Sequence, residues 1–164
     1  MLRPILPVPI SPSVRSVDLE TLLRESDFVS VNCPLNEQTH HLIGARELGL
    51  MKPSALLINA ARGAIVDEAA LVMALEEKRI AGAALDVFSR EPLMHSGHPM
   101  SALFAMDNVI LFPHLTFYTE EATRRLTEDT LARCFEILEG RPVLVKSHDP
   151  RLRAQRRGVV FGLE

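Results

Sequence analysis

The stretch Ala55-Leu56-Leu57-Ile58-Asn59-Ala60-Ala61-Arg62-Gly63, followed by Val66-Asp67-Glu68, decides the fold. An apolar run without polar alternation predicts a central strand of a parallel sheet, apolar on both faces. Asp67 then predicts the cap of a helix whose Ala70, Leu71, Ala74 and Leu75 form one stripe. A strand that ends in a lone guanidinium is a delivery device. In an open parallel sheet the carboxyl ends of the strands share one crevice, where ligands bind.

Three more segments follow the same rule. Phe28-Val29-Ser30-Val31-Asn32 reads as a strand stopped by Cys33-Pro34. Gly82-Ala83-Ala84-Leu85-Asp86-Val87 reads as a third strand, and Asn108-Val109-Ile110-Leu111-Phe112 as a fourth. Short helices are expected over 17–25, with Asp18 as cap, and over 45–51, ended by Lys52-Pro53. A long helix is expected from Thr119 to Glu139, with Thr119 as cap, acids in its first turn and Gly140 just beyond it. The order predicts an α/β fold with right-handed crossovers and a parallel sheet.

Composition bounds the rest. The chain has 164 residues, 47% of them hydrophobic and 24% charged, which is ordinary for one globular domain. A net charge of −3 gives no electrostatic case for nucleic acid or an anionic membrane. No apolar run approaches the ~20 residues that span a bilayer, and the opening residues make a poor signal peptide. Two cysteines, Cys33 and Cys134, make neither a disulfide framework nor a metal quartet, so a reducing cytoplasm is expected and a metal is not. Residues 1–16, with four prolines, predict an extended arm. Residues 146–164 predict a solvated basic tail, with an anion-binding arm as the alternative.

The delivered side chains are Arg62, Glu91 and His114. A carboxylate beside an imidazole favours its protonated form, which suits a general acid near neutral pH. A guanidinium fork suits a substrate carboxylate. Each residue also has a plain alternative: His114 as a structural strand-end histidine, Glu91 as an exposed turn residue, Arg62 in a salt bridge to a helix carboxylate. Asp86 could bond a ribose hydroxyl or a carboxamide, or cap the following turn. His95 and His98, in a polar Ser96-Gly97 loop, are expected to be solvated.

Jointly the segments resemble the D-specific 2-hydroxyacid dehydrogenase family. The residues that carry the likeness are Cys33-Pro34-Leu35-Asn36-Glu37-Gln38-Thr39, Asn59-Ala60-Ala61-Arg62-Gly63 with Val66-Asp67-Glu68, Leu85-Asp86-Val87-Phe88 with Glu91-Pro92, and Pro113-His114. They occur in family order between about Val17 and Val145. The resemblance implies the C-terminal half of a Rossmann-type sheet with flanking helices over 17–118, followed by a helix and connection over 119–145. It implies hydride transfer between NAD or NADP and a small 2-oxo or 2-hydroxy acid, with Arg62, Glu91 and His114 catalytic. The implied cofactor contacts are Cys33, Pro34, Leu35, Asn36, Thr39, Ala60, Ala61, Arg62, Asp86, His114, Thr116 and Phe117.

Two departures qualify the likeness. The family's Gly-x-Gly-x-x-Gly turn, which cradles the pyrophosphate, has no counterpart, and the first glycine is Gly44. The chain is therefore expected to be truncated, with impaired activity, weak cofactor affinity and the 28–32 strand left as an apolar edge. That edge predicts a homodimer or pairing with an N-terminal half. After His114 the bulky Leu115-Thr116-Phe117-Tyr118 resembles the D-lactate dehydrogenase-like branch, where small residues are commoner elsewhere in the family. Tyr118 reaches the cofactor pocket or staples the long helix. Another reading is an interaction module similar to corepressor relatives of these enzymes, and a third is an inactive remnant.

Overall fold

The computed structural model describes residues 14–93 and 95–143. The expected 1–16 arm, apart from 14–16, and the basic tail lie outside the described residues. The chain divides into two compact units, Met1–Thr116 and Phe117–Glu164.

The first unit is built on a four-stranded, fully parallel sheet: β1 (Phe28–Val31), β2 (Leu56–Asn59), β3 (Gly82–Leu85) and β4 (Val109–Leu111), in that spatial order. Three helices accompany it: α1 (Leu19–Glu25), α2 (Ala45–Leu50) and α3 (Glu68–Glu76). The caps are where side-chain chemistry puts them. Asp18 accepts from the Thr21 N–H at 2.8 Å, and Asp67 from the Ala70 N–H at 3.1 Å. Two 3₁₀ turns, Gly63–Ile65 and Pro99–Ala105, were not legible as elements.

Every crossover steps to the next strand in the same direction, so the connecting helices gather on one face. α1 packs on α2, α2 on α3, and α3 on the Pro99–Ala105 turn. Beneath them lie Val29 and Val31, Leu57 and Asn59, and Ala83 and Leu85, all buried. Their pleat neighbours face the other way. Phe28 is 66% exposed and Ile110 60%, while Leu56 and Ile58 are half-buried. β2 is apolar on both faces as expected, with Leu56 and Ile58 on one and Leu57 on the other, but only the second face is fully buried among the described residues. Among the described residues β1 stands at the edge of the sheet, paired only with β2.

The second unit contains α4 (Glu120–Leu138). Thr119 caps it by accepting from the Ala122 N–H at 3.1 Å, and Gly140 follows with φ +66°. Arg125–Glu121 and Arg124–Glu128 pairs, each four residues apart, line its surface. Leu131, Phe135 and Leu138 form an exposed apolar stripe.

Candidate functional site

The carboxyl ends of β2, β3 and β4 carry the charged residues. At the end of β4, His114 adopts φ +59°, a left-handed conformation uncommon outside glycine. Asp86, just past β3 and 5% exposed, braces that turn. Its Oδ1 accepts from the Leu115 N–H at 2.9 Å and its carboxylate from the Thr116 N–H at 3.2 Å. The Thr116 hydroxyl also donates to Oδ2. Burial alone would raise the Asp86 carboxyl. The hydrogen bonds from the Thr116 hydroxyl and the Leu115 and Thr116 amides, helped by nearby His114, outweigh it and hold the group below the usual carboxylate range. These contacts are to the turn after β4, about 30 residues away, and not to the turn that follows Asp86 itself.

The strained turn aims the imidazole at Glu91. His114 Nδ1 lies 2.9 Å from Glu91 Oε2, and Glu91 Oε1 accepts from the Phe88 N–H at 3.0 Å. The His114 contact and then the Phe88 amide hold the Glu91 carboxyl below its usual range, against a smaller effect of burial. With Nδ1 turned to the carboxylate, Nε2 lies across the ring, at 42% side-chain exposure for the residue. This is the geometry of an oriented acid.

Arg62 reaches the same region through its neighbour. A Cβ built on Gly63 would stand 2.0 Å from the Phe88 carbonyl carbon and 2.2 Å from the Ser89 nitrogen. The Arg62–Gly63 backbone therefore lies directly on the segment that holds Glu91. Asn59, 1% exposed, shapes this exit: its side chain donates to the Arg62 carbonyl at 3.0 Å and accepts from the Ala61 N–H at 3.1 Å. The Arg62 side chain is exposed, donates to the Ala61 carbonyl at 2.7 Å, and makes no ion pair with any described carboxylate. The helix salt bridge held open for it is not formed among the described residues.

The turn after β1 is self-organised. Thr39, 5% exposed, donates from its hydroxyl to the Pro34 carbonyl at 2.7 Å and accepts from the Asn36 N–H at 2.8 Å. Asn36 Oδ1 in turn accepts from the Gln38 and Thr39 amides. Cys33 is half-buried, Pro34, Leu35 and Asn36 are exposed, and Ala60 and Ala61 sit at the β2 exit. Phe117 and Tyr118 belong to the second unit, where Tyr118 is 68% exposed and meets Phe117 edge-on.

One expectation is corrected. His98 is not solvated: it is 7% exposed, its Nδ1 accepts from the Met100 N–H at 3.0 Å, and its Nε2 lies 3.1 Å from the Arg90 carbonyl. The Pro99–Ala105 turn that follows buries Met100 and Leu103 and draws the ring in with them. His95 is exposed, stacked on Phe104. Two further residues, Asn59 and Glu68, build the site from buried positions. Asn59 has the strand parity of buried Leu57, and Glu68 lies on the face of Leu71 and Leu75; a polar group on an apolar face signals a buried partner.

The family description "D-isomer specific 2-hydroxyacid dehydrogenase, NAD binding domain" matches residues 9–116. Glyoxylate/hydroxypyruvate reductase B of Enterobacter agglomerans is 48% identical over 124 residues, which cover 76% of this chain and 37% of that protein. Glyoxylate reductase of Thermococcus litoralis is 52% identical over 112 residues, 68% of this chain and 32% of that protein. The NAD-complexed structure of a D-isomer specific 2-hydroxyacid dehydrogenase from Lactobacillus delbrueckii ssp. bulgaricus superposes with a TM-score of 0.71 at 38% identity. That match covers 77% of this chain and 42% of the other. The chain thus spans well under half the length of each relative. These relatives are named as reductases and dehydrogenases, so the interaction-module alternative is not favoured.

Proposed function

The chain belongs to the D-isomer specific 2-hydroxyacid dehydrogenase family through its NAD binding domain, and from that premise we propose that its strand-end site reduces a small 2-oxo acid to the D-2-hydroxy acid. The observation that carries this is the 2.9 Å contact between His114 Nδ1 and Glu91 Oε2. It gives an imidazole a fixed orientation and a charge partner.

The donor set fits the nicotinamide end of NAD or NADP. Asp86 and Thr116 organise the β4 exit, and the exposed 33–36 turn and Ala60–Arg62 offer backbone and side-chain contacts beside it. Cys33, Pro34, Leu35, Asn36 and Thr39 complete the proposed contact set in the first unit. No Gly-x-Gly-x-x-Gly turn is present in the 164 residues, so the pyrophosphate is not assigned to them. When bound, the nicotinamide supplies a hydride to the carbonyl carbon. The protein supplies the rest. Arg62, unengaged by any described carboxylate, grips the substrate carboxylate with its fork. His114 gives its Nε2 proton to the carbonyl oxygen, and Glu91 balances the charge of the ring before that transfer. A reducing, cytoplasmic setting suits the free thiols of Cys33 and Cys134.

The test is a graft: residues of this chain replace the matching segment of the Thermococcus litoralis reductase. Oxidation of NADH is followed by absorbance with glyoxylate, hydroxypyruvate or pyruvate. Turnover is expected, with His114→Ala lowering kcat and Arg62→Ala chiefly raising KM. Turnover untouched by both variants would overturn the assignment.

We further propose that the edge of β1 and the bare sheet face around Phe28 and Ile110 are covered by additional polypeptide, either a second copy or more of the same protein. Light scattering at micromolar concentration is expected to show association of the 164-residue chain. A stable monomer would remove the second copy as the cover.

A further inference from the structure

Glu68 is a buried carboxylate for which the proposed reaction has no use. It opens α3, is 9% exposed, and shares a face with Leu71 and Leu75. A carboxylate in such surroundings needs donors. Its Oε1 accepts from the Ser89 N–H at 2.6 Å, and its Oε2 from the Ser89 hydroxyl at 2.5 Å. Both bonds reach across 21 residues of sequence to the segment after β3.

Ser89 sits between two other held residues. Before it, the Phe88 N–H donates to Glu91 Oε1. After it, the Arg90 carbonyl faces His98 Nε2, which carries the ring proton because Nδ1 accepts from the Met100 amide. Gly63 closes the remaining side by backbone contact. Three successive residues are thus pinned, and the only one of the pins that is a carboxylate from a helix is Glu68.

We infer that Glu68 is a positioning residue for the acid pair. By fixing Ser89 it holds the Phe88 amide where Glu91 requires it, and Glu91 then orients His114. The inference rests on the reading of Glu91 and His114 as the proton-delivering pair.

The experiment uses the 164-residue chain labelled with nitrogen-15 histidine. A two-bond nitrogen–proton spectrum in alkaline buffer reports which ring nitrogen of His114 holds the proton. In the wild type that nitrogen is expected to be Nδ1, which lies 2.9 Å from Glu91 Oε2, and Glu91→Ala is expected to remove the preference. Glu68→Ala is expected to shift His114 toward the Glu91→Ala pattern while circular dichroism stays native. Glu68→Gln is expected to restore it, since an amide oxygen can accept from the Ser89 N–H and an amide N–H can donate to its Oγ. A folded Glu68→Ala chain with a wild-type His114 pattern would overturn the inference. If Glu68→Ala fails to fold, Glu68→Met, which fills similar space without a carboxylate acceptor for the Ser89 N–H, decides, and a wild-type pattern there would also overturn it. A wild-type pattern in Glu91→Ala would instead sink the acid-pair reading itself.

Discussion

Gly63 and Phe88 meet backbone to backbone, so closely that a Cβ on Gly63 would lie 2.0 Å from the Phe88 carbonyl carbon. This contact ties the exit of β2, which carries Arg62, to the segment that holds Glu91. Main-chain atoms cannot rotate aside as a side chain can. Gly63→Ala is therefore expected to cost about 3 kcal/mol or more, at the upper end of overpacking effects. Urea unfolding measures it, and a loss under about 0.5 kcal/mol, the scale of an ordinary surface change, would deny the close approach.

Arg62 should behave in the opposite way. Exposed and without an ion pair among the described residues, it contributes little to stability. Arg62→Ala is expected to change unfolding free energy by less than about 0.5 kcal/mol while weakening binding of a 2-oxo acid. A large destabilisation would revive the structural salt bridge.

Asp86 braces a strained turn, and its loss leaves the Leu115 and Thr116 amides without their acceptor. Asp86→Ala should cost roughly 1–3 kcal/mol, with His114 released from φ +59° as a consequence. Thermal unfolding, read beside the His114 ring signals, checks both parts together. Unchanged signals in the variant would show that the turn holds itself.

Acid should erode the same region. Glu91 and Asp86 are both held below the usual carboxylate range in the folded chain. A depressed folded value contributes stability above the unfolded one, and that contribution disappears as pH falls through the folded value. The melting temperature is therefore expected to drop below about pH 4, less steeply in a Glu91→Gln, Asp86→Asn double variant. Identical slopes would contradict the assignment.

Much of this was legible from local chemistry. Asp18, Asp67 and Thr119 cap their helices because a short acceptor before an amphipathic run serves the first free amides wherever it occurs. The four strands fall within one or two residues of their expected ends for a similar reason. What stayed hidden depends on distant partners. The burial of His98 depends on Met100 and Leu103 turning inward, and the grip of Glu68 on Ser89 spans two elements. The exposure of Phe28 and Ile110 follows from connecting helices that gather on the other face of the sheet, which the apolar pattern of β2 does not reveal.

The most direct test of the central claim is a double-mutant cycle on hydride transfer in the grafted enzyme. His114→Ala is expected to lower the rate about 10²–10⁴-fold, the range for loss of a general acid. Glu91→Gln should lower it less, and the double variant should be no slower than His114→Ala alone, because the carboxylate acts only through the ring. Losses that multiply, or a His114→Ala enzyme that turns over at the parent rate, would contradict the account.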